Sequence, residues 1–243
     1  MNDISAIKKK VYALIEKVLS YKTDMIIAIS AWEKESAAKY KICCSDKIHI
    51  IPSGVDVCLY DEKQGRYDLN RSKLNIPVDA YVIGMVGRIS YGKGPDLFVK
   101  AAALIKNKIP NAFFVIVGEG EERSSIENLL SEMGLKEDFL ITGWVSNPME
   151  YIQLFDQAML LTRWEGFGLV LTEYMLAEKP IITTDVSDSK NDIEGKFGIV
   201  VPKSEDGVYK GMKEYLQNGY KMEKFNPEEY NENIIKKLNE IIK

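Results

Sequence analysis

The segment Tyr81-Val-Ile-Gly-Met-Val86 runs directly into the glycine-rich stretch Gly87-Arg-Ile-Ser-Tyr-Gly-Lys-Gly94. An apolar run of this length that ends at turn residues predicts a strand buried on both faces of a sheet. The apolar residues of the following segment, 94–106, have a helical spacing. A strand, a glycine-rich loop and a helix form the repeating unit of a parallel sheet, so this stretch predicts an α/β fold.

The same alternation continues towards the C-terminus. We predict strands at 112–117, 138–142, 158–161 and 180–184, separated by helices at 121–133, 148–155 and 169–177. This order is typical of a doubly wound, Rossmann-like parallel sheet with helices on both faces. Such sheets bind ligands at the carboxyl ends of their strands. We therefore expect the functional residues in the loops after Val86, Val117, Thr142 and Thr162.

Shorter elements flank the predicted sheet. They are an amphipathic helix at 4–19, a strand at 24–30, a helix at 31–40 capped by Ser30, a strand at 47–51 and a C-terminal amphipathic helix at 226–243. The polar connection 61–73 indicates a boundary. We predict three parts: a small, incomplete N-terminal α/β segment (1–60), the Rossmann-like domain (74–222) and a C-terminal helix (223–243).

Composition argues against several classes of protein. A net charge of −4 over 243 residues disfavours a general nucleic-acid binder, which presents a basic surface. The single histidine, His49, excludes a site that needs two, and we expect no metal centre. The three cysteines fit no metal spacing, so we expect reduced thiols in a cytoplasmic protein; they are Cys43, Cys44 and Cys58. The first residues lack a signal-peptide pattern, and no run of about 18 apolar residues occurs.

The loop after Val86 combines glycines with positive charge. Glycine lets the backbone approach an anion, while Arg88 and Lys93 supply fixed and mobile cations. Residues 87–93 nearly match the phosphate-binding pattern G-x-x-x-x-G-K-[ST], but Gly94 stands where a hydroxyl would hold Mg²⁺. A nucleoside triphosphatase is therefore a minor alternative, as is a glycine turn with exposed basic residues.

The loop after Thr162 is the most informative: Arg163-Trp-Glu-Gly-Phe-Gly-Leu-Val-Leu-Thr-Glu173. Glu165 precedes the predicted helix and Glu173 lies within it, so we expect the two carboxylates to contact different parts of one ligand. Amides at the start of the helix offer a site for phosphate. Taken alone, Glu173 would be a polar residue on a half-buried helix; together with the basic loop, the pattern favours a ligand with phosphate and sugar groups. The weaker Gly118-Glu-Gly120 lacks G-x-G-x-x-G, which disfavours a nicotinamide enzyme.

Four motifs in this order resemble the C-terminal half of a GT-B glycosyltransferase of family GT4, the "glycosyl transferases group 1" type. The resemblance covers about residues 20–240. The motifs are Ile50-Ile-Pro-Ser-Gly-Val-Asp56, Gly84-Met-Val-Gly-Arg-Ile-Ser-Tyr-Gly-Lys-Gly94, Val115-Ile-Val-Gly-Glu-Gly120 and Glu165-Gly-Phe-Gly-Leu-Val-Leu-Thr-Glu173. The resemblance implies transfer of a hexosyl group from a nucleoside-diphosphate sugar to a glycan or lipid-linked acceptor. We expect UDP rather than GDP as the nucleotide. It also implies retention of anomeric configuration, and neither a metal nor another cofactor.

The resemblance implies roles for individual residues. Arg88 and Lys93 would hold the donor diphosphate beside Gly87, and Glu165 would bind hydroxyls of the donor sugar. Glu173 would bind the ribose hydroxyls. The amides expected to contact sugar and phosphates belong to Phe167, Gly168, Leu169 and Val170, and the nucleoside pocket would be lined by Gly118 and by Val145 with its neighbour Trp144.

Two departures from the family pattern affect these expectations. Members usually begin with a full acceptor-binding domain. Only the end of that domain has a counterpart in this chain, in residues 4–52, so we expect a partner chain or a second copy to complete the site. A truncated remnant is the alternative. The stretch 185–192 lacks the glycines and glutamate often found there. A non-catalytic nucleotide-sugar-binding module stays an alternative, and a nucleotide-sugar epimerase fits less well.

The basic run Lys8-Lys-Lys10 lies on the first predicted helix. We expect it to be the solvated face of a helix packed on the domain. Peripheral contact with anionic lipid at the inner membrane face is the alternative, because acceptors of the resembled family are often lipid-linked.

Overall fold

The structure, a computed structural model, describes residues 6–55, 69–186, 189–219 and 222–242. Asp56, Cys58, most of the predicted connection 61–73 and residues 187–188 of the stretch 185–192 lie outside the described residues, as do both ends of the chain.

The strands in chain order are β1 (Ile26–Ala28), β2 (Ile48–Ile50), β3 (Tyr81–Val86), β4 (Ala112–Val117), β5 (Phe139–Ile141), β6 (Gln157–Leu160), β7 (Ile181–Thr184) and β8 (Gly198–Val201). The helices are α1 (Ala6–Ser20), α2 (Ala31–Lys39), α3 (Pro95–Lys106), α4 (Arg123–Glu132), α5 (Met149–Ile152), α6 (Leu169–Leu176), α7 (Ser189–Asp192), α8 (Glu205–Asn218) and α9 (Pro227–Ile242).

Strands β3 to β8 form a parallel sheet in the order β5-β4-β3-β6-β7-β8, and β1 pairs in parallel with β2 in a second, smaller sheet. The larger sheet has the strand order of doubly wound nucleotide-binding folds, which confirms the predicted fold class. Chain progression reverses between β3 and β6. A crevice therefore opens at the carboxyl ends of these two strands, where ligands of such sheets bind.

Helices cover both faces of this sheet. Residues of α3, α4 and α8 share one buried apolar cluster with the strands, and residues of α5 and α6 share the other. Every residue of β4 is buried, as expected for a central strand of a parallel sheet. The predicted strands and helices of the sheet are present, with ends that differ by at most three residues.

The sequence did not predict β8 and α8. Gly207 and Gly211 lower the helix propensity of α8, which obscured its pattern. Packing explains Gly211, because a Cβ there would lie 2.4 Å from a side-chain carbon of Val201 on β8. The close approach of α8 to the sheet thus requires the residue that weakens the sequence signal.

Helix α1 does not pack as predicted. Between residues 7 and 20, only Ala13 and Ser20 are buried, whereas the large apolar side chains are 48–76% exposed. The hydroxyl of Ser20 donates to the carbonyl of Ile42 at 2.8 Å. This bond holds the face of α1 that carries the small residues against the chain that follows α2. The lysines Lys8 and Lys10 are exposed, as expected for a solvated face, but the helix packs through its small residues and its apolar face points outward.

The C-terminal helix contacts the N-terminal segment. The side-chain amide of Asn231 on α9 accepts from the N–H of Val55 at 2.9 Å and donates to the carbonyl of Val55 at 2.7 Å. The hydroxyl of Tyr230 donates to the carbonyl of Ser53 at 3.2 Å. These contacts join residues about 176 positions apart in sequence and hold α9 beside the chain that leaves β2.

Candidate functional site

An ion pair lies at the crevice between β3 and β6. The Nζ atom of Lys93 donates to Oε2 of Glu165 in a short contact, although the two residues are 72 positions apart in sequence. Their side chains are 32% and 16% exposed, respectively. The loops after β3 and β6 thus place a cation and a carboxylate together at the ligand-binding edge of the sheet.

Left-handed glycines shape both loops. Gly94 has a φ of 70°, and a Cβ at this position would lie 2.1 Å from the carbonyl oxygen of Leu161 in the opposite loop. Gly168 has a φ of 76° and immediately precedes α6. Glycine adopts this conformation at little cost, so the two loops approach each other closely at the crevice.

Tyr174 of α6 bridges the two strands where they separate. Strands β3 and β6 pair only at Ile83–Gln157 and Gly84–Ala158. Beyond this point the Tyr174 hydroxyl accepts from the N–H of Val86 at 2.9 Å and donates to the carbonyl of Met159 at 3.4 Å. Burial raises the pKa of this hydroxyl well above its usual value, so it stays protonated and able to donate. No sequence pattern signals this role, since a tyrosine on an apolar helix face is usually an ordinary core residue.

Helix α6 begins beside the same crevice, directly after Gly168. Its first amides, including those of Leu169 and Val170, lack acceptors within the helix by geometry and carry partial positive charge. Leu169 is 56% exposed, whereas Val170 packs on the apolar cluster beneath. Phe167 lies half-buried in the connecting loop, and Glu173 is half-buried on the helix.

The structure separates Arg88 from the Lys93–Glu165 pair. Its guanidinium Nε donates to Glu121 Oε2 at 2.9 Å, and both side chains are more than half exposed. The loop after β4 therefore holds Arg88 through Glu121.

Three glycines align at the ends of β3, β4 and β5. A Cβ on Gly118 would lie 1.9 Å from the carbonyl oxygen of Gly87, and Gly118 also forms an isolated bridge with Gly143. Val145 follows half-buried against the apolar cluster, next to Trp144, which is 78% exposed. This edge offers bare backbone flanked by an exposed ring, a surface suited to a flat base.

The N-terminal segment also reaches the site. Ser30 caps α2 by accepting from the N–H of Glu33 at 3.2 Å, and Glu33 Oε2 accepts from the N–H of Ile29 at 3.0 Å. A Cβ on Gly166 would lie 3.1 Å from the other carboxylate oxygen of Glu33. Sequence reasoning recognised the cap but missed Glu33, which the S-x-x-E spacing of a capping box signals.

The arrangement can bind an anion and a polyhydroxyl group side by side. Lys93 and the start of α6 favour phosphate oxygens, while Glu165 accepts hydrogen bonds from hydroxyls. Among the described residues, no cluster of three histidine, cysteine or acidic side chains forms a metal site. None of the helices in the described ranges is long and apolar enough to cross a membrane.

The chain is similar in sequence to curated glycosyltransferases. The chain is 30% identical over 194 residues to an Escherichia coli UDP-Gal:alpha-D-GlcNAc-diphosphoundecaprenol alpha-1,3-galactosyltransferase, covering 77% of this chain and 50% of the relative. It is 28% identical over 224 residues to the Staphylococcus aureus capsular polysaccharide biosynthesis glycosyltransferase CapM, covering 89% of this chain and 57% of the relative. The chain thus spans about half the length of these curated relatives.

Solved structures show the same fold. Anabaena Alr3699/HepE in complex with UDP and glucose superposes with a TM-score of 0.80 at 18% sequence identity, covering 95% of this chain and 67% of that chain. The sequence profile of the family described as "Glycosyl transferases group 1" matches residues 67–237, a range that includes both loops of the crevice. This chain belongs to the group 1 glycosyl transferases.

Proposed function

We propose that this chain supplies the donor half of a retaining glycosyltransferase, which transfers a hexosyl group from a UDP-sugar to a glycan or lipid-linked acceptor. The pairing of Lys93 with Glu165 beside the start of α6 is the observation that carries the proposal. A nucleoside-diphosphate sugar presents phosphate and sugar hydroxyls next to each other, and the site presents a cation and a carboxylate in the same arrangement.

In this proposal each residue has a distinct task. The ammonium group of Lys93 stabilises the negative charge that grows on the diphosphate as the sugar leaves. Glu165 orients the sugar by accepting from its hydroxyls, and Glu173 does the same for the ribose. Arg88 exchanges Glu121 for the diphosphate when the donor binds. No metal or other cofactor takes part.

The bond changes balance without an external base. The acceptor hydroxyl attacks the anomeric carbon from the face that the diphosphate leaves, so configuration is retained. The bond from the anomeric carbon to the diphosphate oxygen breaks, and the acceptor proton passes to that oxygen. Holding both reactants in place supplies much of the rate enhancement.

Two observations bear on the acceptor. The E. coli relative, by its name, acts on a sugar linked to diphosphoundecaprenol, which supports a lipid-linked acceptor used at the cytoplasmic face of a membrane. The exposed apolar face of α1 supports an acceptor-binding half that covers this helix.

Calorimetric titration of the chain with UDP, GDP and ADP tests the donor site. We expect saturable binding of UDP, weakened about tenfold or more in Lys93→Ala and in Glu173→Ala. Lys106→Ala is the matched control, because Lys106 also forms a half-buried ion pair, with Asp138 at 2.6 Å, but lies at the amino ends of β4 and β5, away from the crevice. A folded chain that binds none of the three nucleotides would refute the proposal.

A binding module or subunit that is inactive without a partner chain is the second candidate, and the outward apolar face of α1, which a partner would cover, favours it. The two functions differ in turnover. A chain that binds a UDP-sugar yet releases no UDP, with or without an acceptor sugar, is a binding module or a subunit that needs its partner.

A further inference from the structure

The side chain of Arg163 connects the two loops of the crevice. Its Nη1 and Nη2 atoms donate to Oδ1 and Oδ2 of Asp96 at 2.8 and 2.6 Å, a two-point contact at the start of α3. Nη1 also donates to the carbonyl of Tyr91 at 2.7 Å. The side chains of Arg163 and Asp96 are 22% and 26% exposed. This one guanidinium therefore contacts the chain on both sides of Lys93.

Further contacts hold the same loop. The guanidinium carbon of Arg163 lies 4.0 Å from the centre of the Tyr91 ring, which favours a cation–π interaction. The N–H of Arg163 donates to the carbonyl of Gly92 at 2.8 Å. The ring of Trp164 lies so close to Gly92 that a Cβ there would approach it to 2.9 Å.

We propose that Arg163 is a positioning residue, which acts through Asp96 and Tyr91 to hold the backbone of Lys93 so that its ammonium group meets Glu165 and the donor diphosphate. This inference rests on the function proposed above. Lysine has four rotatable side-chain bonds and a point charge, so its position depends on how firmly its backbone is held. The planar guanidinium suits this task because it donates in a fixed fork to a carboxylate.

The chain provides a matched comparison in Arg71. Its Nη2 donates to Oδ2 of Asp156 and to the carbonyl of Leu154, both at 2.8 Å, and its Nη1 to the carbonyl of Ala80 at 2.9 Å. The side chain of Arg71 is 25% exposed, close to the value for Arg163. This pair lies at the amino ends of β3 and β6, away from the crevice. Loss of either arginine should therefore cost similar stability, and only one should affect the site.

The experiment measures the UDP dissociation constant and the melting temperature of Arg163→Ala, Arg163→Lys, Asp96→Asn and Arg71→Ala. We expect the three variants of the Arg163–Asp96 pair to bind UDP about tenfold or more weakly. Arg71→Ala should lower the melting temperature to a similar extent and leave the dissociation constant within about twofold of wild type. Arg163→Lys and Asp96→Asn keep size and packing, so they report on the pair even if Arg163→Ala does not fold.

Three results would overturn the inference. Unchanged UDP affinity in Arg163→Lys would mean that a positive charge at this position is sufficient and that the two-point contact of the guanidinium with Asp96 is not needed. In a Lys93→Ala background, a further full tenfold loss on adding Arg163→Lys would mean that Arg163 contacts the ligand directly, since a residue acting through Lys93 has no such effect. Failure of the wild-type chain to bind UDP would refute the proposed function and this inference with it. If the wild-type chain binds UDP, and Lys93→Ala weakens that binding but Arg163→Lys does not, the inference alone is refuted.

Discussion

The substitution Tyr174→Phe removes a single oxygen from the point where β3 and β6 separate. That oxygen accepts from the N–H of Val86 at 2.9 Å and donates to the carbonyl of Met159 at 3.4 Å. A buried N–H left without an acceptor costs about 1–3 kcal/mol, and the longer bond adds little. We therefore expect the free energy of unfolding to fall by about 1–3 kcal/mol. At about 2–4 °C per kcal/mol for a chain of this size, the melting temperature should fall by roughly 2–12 °C.

Urea unfolding followed by circular dichroism measures this loss. Tyr21→Phe is the control, because the Tyr21 side chain is 75% exposed and removal of its hydroxyl should change nothing. Tyr174→Phe should also weaken UDP binding, since the end of β3 leads into the loop that carries Lys93. A variant within about 0.5 kcal/mol of wild type would refute the reasoning, because it would mean that the two strands need no bridge at the crevice.

Three further predictions concern single residues. Gly94→Ala should weaken UDP binding about tenfold or more, because a Cβ would lie 2.1 Å from a carbonyl oxygen of the opposite loop; Gly134→Ala, with a φ of 67° and open space around it, is the control for backbone strain and should leave affinity unchanged. Burial alone would raise the pKa of Asp96, but the hydrogen bonds and charge of Arg163 outweigh it and hold that pKa below its usual value. The resulting stability is complete above about pH 4 and is lost as the pH falls through the lower folded pKa. Asp96→Asn should therefore make the urea midpoint depend less on pH below about pH 4. A variant whose midpoint falls with pH as steeply as that of wild type would contradict this. Asn231→Ala should lower stability by about 1–2 kcal/mol through two lost hydrogen bonds and speed proteolysis of α9 at unchanged UDP affinity; equal proteolysis rates would show that other contacts hold the helix.

Local features of the sequence were sufficient for the fold class. Continuous apolar runs such as 81–86 indicate buried parallel strands, because such strands are covered on both sides. The alternation with helical spacing then limits the architecture to a wound parallel sheet. Short or glycine-interrupted elements such as β8 and α8 were not predicted, because their residues suit the packing at those positions rather than the strand or helix propensity.

The sequence also identified the loops of the candidate site, since glycines with nearby charges mark positions where the backbone can approach an anion. It named Lys93 and Glu165 as candidates in separate motifs. The sequence could not predict that these two side chains contact each other, because their contact depends on β3 and β6 being neighbours in the sheet. The roles of the individual candidates towards a ligand stay predictions until binding is measured.

Tertiary structure alone decided which groups partner one another. It placed Arg88 on Glu121, inserted the Tyr174 hydroxyl between two diverging strands, and turned the apolar face of α1 outward. Periodicity indicates which face of a helix or strand is apolar and which is polar, because that property depends on a few neighbours in sequence. Which atoms lie against that side depends on strand order and loop approach over more than seventy positions of chain, and no local pattern contains that information.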